Sequence, residues 1–126
     1  MVFSFSYREK LHSQADFNRV FKKGRKLENK AVKILALNRK DSLDMRRLGL
    51  VTSKKVGKAV ARNRAKRRLR EIFRTNKHLL ESGLDLVFII KPAAASLNYA
   101  DLQRTVIDSL KNAGLYKEPC GNYQPV

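Results

Sequence analysis

The chain has little with which to staple, anchor or catalyse. Its single cysteine, Cys120, excludes an intrachain disulfide and fits a reducing compartment. Its longest uninterrupted apolar run, Leu86 to Ile90, falls far short of the ~18 residues that a spanning helix needs. The opening segment, Met-Val-Phe-Ser-Phe-Ser-Tyr-Arg-Glu-Lys, places its basic residues after the apolar ones, the wrong order for a secretory signal. These absences predict a soluble protein that stays in the cytoplasm.

Acidic residues are scarce as well, and badly placed for chemistry. Only 11 Asp and Glu stand against 28 Lys and Arg, and Asp41 with Asp44 is the one closely spaced acidic pair. That pair falls in a polar stretch and reads as turn and solubilising residues, not as the carboxylate cluster of a metal-dependent nuclease. His12 and His78 lie far apart, neither beside a cysteine or carboxylate at ligand spacing. No phosphate-loop glycine pattern, nucleophile elbow or paired-cysteine motif occurs. The expectation is no catalytic residue and no metal ligand in this chain, so that a partner supplies the reactive groups of any reaction it joins.

What is present in abundance is positive charge. A formal net charge of +17 on 126 residues calls for a counter-charged partner, nucleic acid first. With 43% hydrophobic residues the chain can still bury a core, and its length fits one domain. The charge is concentrated: from Met45 to Arg70 there is no acid, while Arg46, Arg47, Lys54, Lys55, Lys58, Arg62, Arg64, Lys66, Arg67, Arg68 and Arg70 are cationic. A block of this kind with helical apolar spacing is suited to lie on a polyanion and on a protein core at once.

Punctuation along the chain gives the order of elements. Ser13, three residues before Asp16, caps a short helix bearing Phe17, Val20 and Phe21, with Gly24 as its stop. Residues 31–37 suit a strand covered on both faces, and residues 48–53 a second. The polar stretch 38–47, with Asp41, Ser42 and Asp44, reads as a hairpin-like connection. A long helix runs from Lys58 to about Lys77, with Ala61, Ala65, Leu69, Ile72 and Phe73 on one side and Asn63, Lys66, Arg67, Arg70 and Arg74 on the other. Residues 84–91 form the most strand-like run, ended by Pro92, and Asn98 caps a last helix with Tyr99, Leu102, Val106, Leu110 and Ala113 as its buried stripe. The tail from Leu115 to Val126, holding Pro119, Gly121 and Pro125, reads as loose. The class is α+β, a small sheet with helices packed against it.

Within the long helix, six cations occupy the nine positions from Arg62 to Arg70. They repel one another, and Asn63 is a poor interior helix residue, so local stability does not select the string. The phosphates of a partner would relieve the repulsion. The run Ser53-Lys54-Lys55-Val56-Gly57-Lys58-Ala59-Val60-Ala61-Arg62-Asn63-Arg64-Ala65-Lys66-Arg67-Arg68-Leu69-Arg70-Glu71-Ile72-Phe73-Arg74 resembles the signature of the bacterial ribonuclease P protein subunit. The first helix and the strand from Asp85 to Lys91 are similar to that family too, so that residues 8–113 form the matching core of one RNA-binding domain over residues 1–126.

The resemblance implies a ferredoxin-like variant, αβββαβα, with a left-handed βαβ crossover. It implies a division of labour in which a large catalytic RNA, holding Mg²⁺, cuts the 5′ leader from precursor tRNA while the small basic protein holds the leader and stabilises the RNA's active form; one protein per RNA is the default stoichiometry. By position, Arg62, Asn63, Arg64, Lys66, Arg67, Arg68 and Arg70 match the helix that faces the catalytic RNA. Phe17, Phe21, Lys33, Leu35, Val51, Ser53 and Lys55 match the cleft for the single-stranded leader. The family often has an aromatic residue in the first long strand's cleft-facing row, and here Leu35 and Val32 take that region. Phe17 and Phe21, on one face of an amphipathic helix, fit a core pair as well as a stacking pair, and exposure separates the two readings.

Rival readings explain less. A ribosomal or other structured-RNA-binding protein accounts for the basicity but not for the cationic string together with the Phe17/Phe21 element. A DNA-binding regulator would bring a dimerisation heptad or a helix-turn-helix spacing, and neither occurs. A membrane-surface amphipath would carry Trp or Leu opposite its basic face, where this helix has Ala61 and Ala65.

Overall fold

The fold grows from short capped helices and one strand that is apolar on both sides. A computed structural model describes residues 7–40 and 45–117. Helix α1 spans Gln14–Lys23, and the Ser13 hydroxyl accepts the Asp16 N–H at 3.1 Å. At Gly24 a Cβ would lie 2.4 Å from the Val20 carbonyl oxygen, so glycine lets the chain turn directly into strand β1, Arg25–Glu28. β1 escapes a reading by apolar alternation because Arg25, Lys26 and Glu28 are exposed. It is a charged edge strand defined by its antiparallel pairing with β2, Val32–Asn38.

Strand β3, Arg47–Val51, does not pair with β2. Strand β4, Leu84–Ile90, lies between them, antiparallel to β2 and parallel to β3, in the order β1-β2-β4-β3. The hairpin expected over residues 38–47 is therefore corrected: β2 and β3 are not neighbours, and just past β2 the Arg39 N–H donates to Gly83 O, ahead of β4, at 2.9 Å. The physical reason is that Leu84 to Phe88 are all buried, and only a central position covers both faces of such a strand. Asp41, Ser42 and Asp44, like Cys120, Pro119, Gly121 and Pro125, fall outside the described residues, but the start of the tail read as loose is corrected: Leu115 is buried in the core and the Lys117 N–H donates to Leu79 O at 2.8 Å.

Parallel β3 and β4 need a crossover, supplied by helix α2, Ala59–Asn76. Its stripe of Ala65, Leu69, Ile72 and Phe73 packs with Ile34, Leu48, Leu86 and Phe88 on one sheet face. Past the short helix α3, Ala93–Ser96, helix α4, Tyr99–Asn112, adds Leu102, Val106 and Leu110 to the same core. Asn98 caps α4 by accepting the Asp101 N–H at 2.8 Å. The opposite sheet face carries α1, where Leu11 and Val20 close over Leu35 and Val87. Strand alternation puts Val32 in the first core and Leu35 in the second, so these two residues do not share one cleft-facing row.

Among the described residues, one charged group is buried without exposure. Asp85 accepts from Arg39 Nη1 at 2.7 Å and from Arg47 Nε and Nη2 at 2.9 and 2.8 Å. Arg46 donates to Leu80 O from Nε at 3.0 Å and Nη2 at 2.7 Å. Arg46 and Arg47 therefore serve the fold, although the sequence places them in the polyanion-binding block.

Candidate nucleic-acid interface

The α1 face of the sheet is covered unevenly. Pairing registers set out three cross-strand rows: Leu37, Asp85 and Arg47; then Leu35, Val87 and Gly49; then Lys33, Ile89 and Val51. α1 crosses above the first two, anchored by the Asp16 carboxylate 3.4 Å from Arg47 Nη1. Lys33, Ile89 and Val51 stay half-buried, so the last row is an open cleft floor. Ser53 and Lys55, both exposed, prolong this edge in a turn where the Ser53 hydroxyl accepts the Lys55 N–H at 3.3 Å.

Exposure separates the two phenylalanines. Phe21 is 38% exposed, while Phe17 is half-buried with its ring over Gly49. The rings stack with centroids 6.4 Å apart and an interplanar angle of 29°. Phe17 thus supports Phe21 from the core side. Leu35, 2% exposed beneath α1, is a support beneath the cleft and offers no surface to a ligand; burial corrects its placement among the contacting residues.

Helix α2 sorts its cations onto two flanks and a crest. Arg62, Lys66 and Arg70 recur every four residues and form one row. Arg64 and Arg68 form the other row and turn to backbone: Arg68 Nη1 donates to Leu97 O at 2.9 Å and Arg64 Nη2 to Ala95 O at 3.4 Å. Between the rows, Asn63 and Arg67 are exposed. Arg62 Nη1 donates to Gly57 O at 2.8 Å, which holds its stem along the start of the helix. Glu71, the one acid in α2, accepts from Arg74; that bond holds its carboxyl below the usual range and raises the Arg74 guanidinium.

Lys66 and Arg70 also line an open groove of about 330 Å³ with Lys10, His12, Phe17 and Gly49. It connects the α2 row to the α1 side of the sheet. Lys10 and His12 were not expected there, because the Leu11 N–H donates to Leu48 O at 3.0 Å and this edge pairing has no sequence pattern. Gly49 did carry a signal, since a glycine inside a strand marks close approach by another group. Among the described residues no three His, Cys, Asp or Glu side chains come together to hold a metal.

Such a molecule is a small basic α+β RNA-binding protein, and comparison with known proteins sharpens the class. A family model described as Ribonuclease P matches residues 5–114. The ribonuclease P protein component of Clostridium kluyveri is 40% identical over 111 residues, 86% of this chain and 96% of the relative. The Thermotoga maritima component is 46% identical over 89 residues, 71% and 74% of the two chains. The solved Staphylococcus aureus RNase P protein superposes with a TM-score of 0.78 at 32% identity, covering 86% of this chain and 98% of that one. The chain belongs to the bacterial ribonuclease P protein family. It is the protein subunit of a ribonucleoprotein endonuclease in which RNA carries out Mg²⁺-dependent removal of the 5′ leader from precursor tRNA. The residues here do not fit a protein-held Mg²⁺: Asp85, the fully buried carboxylate, is taken up by two guanidinium groups.

Proposed function

We propose that this chain works as one RNA-binding domain with two surfaces, paired one to one with its catalytic RNA in the cytoplasm. The outer side of α2 takes the catalytic RNA. Asn63, Arg67 and Arg70 meet it directly, Lys66 and Arg62 follow the same strand, and Arg64 and Arg68 hold the helix against the turn that follows α3. Arginine offers phosphate two parallel hydrogen bonds and lysine a point charge. The cleft beside α1 takes the leader: Phe21 stacks on an unpaired base, Lys33 and Lys55 meet phosphates, and Val51 and Ser53 form the wall, with Phe17 and Leu35 beneath.

The observation that carries this reading is the half-buried row Lys33, Ile89 and Val51, which holds no fully buried residue, beside an exposed phenylalanine. An apolar floor with an open aromatic and flanking cations suits single-stranded RNA of many sequences, because every base has a stacking face. That tolerance is what a set of differing leaders requires. Among the described residues no helix is long and apolar enough to cross a membrane. Reconstitution tests the reading: with a bacterial-type catalytic RNA at low Mg²⁺ the protein restores accurate 5′ cleavage, and protein alone cuts nothing. Cleavage by pure protein would overturn the division of labour.

A further inference from the structure

A second basic groove lies on the other side of α1. Phe17 and Phe21 occupy one flank of the helix, and Arg19 and Lys23 occupy the opposite flank. There, with Leu37, Asn38, Arg39 and Lys40, they line an open groove of about 500 Å³, and a neighbouring hollow brings Lys23, Arg25 and Lys40 together. Exposed Lys22 and Lys26 stand at the end of α1 and on β1, between this groove and the leader cleft. Lys26 pairs in register with Leu35, the strand neighbour of the cleft floor. Past Glu28, the cross-strand partner of Lys33 that Lys91 pairs, cations continue from Lys33 by Lys26 and Lys22 to Lys23 and Lys40, around the C-terminal end of α1.

The fold explains their placement only in part. Lysines in the last turn of α1 oppose its macrodipole, which accounts for Lys22 and Lys23. A charged edge strand accounts for Lys26 in general terms, but neither reason accounts for Lys40 beyond β2. Lys40 has φ of 58°, a left-handed conformation that is strained for a residue with a Cβ and that glycine or asparagine takes more cheaply. Among the described residues no carboxylate pairs with Lys22, Lys23, Lys26 or Lys40, and Glu81 is the acid in the lining of the hollow. Arg19 is 3.4 Å from Asp16, Arg39 is bound to Asp85, and Arg25 donates to Ala113 O, so the four lysines carry the available charge.

We propose that these four lysines form a phosphate track for the distal part of a long leader, which leaves the cleft beside Phe21 and rounds the end of α1. This rests on the leader occupying the cleft. It makes the subunit a gauge of leader length: a short leader ends in the cleft, and a long one gains further phosphate contacts.

The test uses holoenzyme and precursor tRNAs with leaders of about 4 and about 16 nucleotides, the span that small single-strand-binding folds cover. Wild-type holoenzyme binds the long leader more tightly, with a steeper salt dependence. In the K23A/K26A/K40A variant the long-leader advantage disappears, and the salt slope falls by about two units at ~0.7 per single-strand phosphate contact. The short leader is bound as before, and arginine at the three positions restores the advantage. Equal losses for both leaders would place the lysines on the catalytic RNA, and no loss for either would leave them a solvated face; both outcomes overturn the track. The Phe21→Ala variant read on the short leader tests the cleft separately. A short leader blind to that change sinks the cleft reading, while a length-dependent lysine effect still upholds the track.

Discussion

Arg47 and Asp85 are register partners on parallel strands, and Arg47 brackets both carboxylate oxygens of Asp85, from Nε at 2.9 Å and Nη2 at 2.8 Å. The same guanidinium reaches Asp16, so one arginine joins the sheet's central strand to α1. Removing the charge of a buried carboxylate leaves its cations unpaired, which costs about 3–5 kcal/mol. Asp85→Asn is expected to lose stability on that scale in urea unfolding, with the midpoint moving and the slope unchanged. A loss below about 1 kcal/mol, the scale of a surface pair, would mean that water already solvates this carboxylate.

The two phenylalanines are expected to separate by experiment. Phe21→Ala keeps the fold and lowers the preference for precursor over mature tRNA by about 1–3 kcal/mol, the worth of one base stack. Phe17→Ala costs stability instead, roughly 2 kcal/mol, less than the ~3–5 of a fully buried ring. Thermal unfolding and competition binding read the two effects independently. Unchanged discrimination in a folded Phe21→Ala variant would remove the stack from the leader's path.

Gly49 offers a test of how the cleft is shaped from below. A Cβ there would fall 2.6 Å and 2.7 Å from two Phe17 ring atoms and 3.2 Å from Leu11 Cδ1. Gly49→Ala therefore displaces the ring at a cost of about 1–3 kcal/mol, the range for overpacking. Combined with Phe17→Ala, the alanine at 49 should cost much less, a coupling that a double-mutant cycle measures. Additive losses would show that the ring does not rest on this glycine.

The cations of α2 are expected to fall into two groups. Arg67→Ala and Arg70→Ala leave the melting temperature unchanged and lower the salt slope of catalytic-RNA binding by roughly 0.9 per contact if the bound RNA is helical. Arg68→Ala removes a charged hydrogen bond to Leu97 O, and a loss of about 1.5–3 kcal/mol in stability is expected. Salt titration and thermal melts on the same three variants check the division. Salt slopes equal to wild type in all of them would return α2 to a solvated face.

Much of this was readable from residue order because the signals are local. Ser13, Asn98 and the 59–76 stripe mark their helices by capping and period, and the string from Arg62 to Arg70 marks the family. Pairing is not local. β4 takes the centre of the sheet because it is apolar on both sides, and nothing near Asn38 or Arg47 announces that it comes between their strands. Arg46, Arg47 and Arg68 look the same in sequence as Arg67, yet the first three reach carbonyls or a carboxylate that only the folded chain supplies. Whether Phe17 and Phe21 were core or surface also required the third dimension, since one helical face can carry both.

Among the described residues, β4 is the last strand made. Residues 84–90 leave the ribosome after α1, β1, β2, β3 and α2, yet β2 and β3 have no partner in common until β4 arrives between them. Long-range pairing of this kind slows folding, because the loop must close before any contact rewards it. The basic helix is therefore synthesised before the surface it packs on is complete. Its positive charge emerges before β4 does, and the sheet face it packs on is complete only once β4 has joined β2 and β3, so the helix is made before it can be seated.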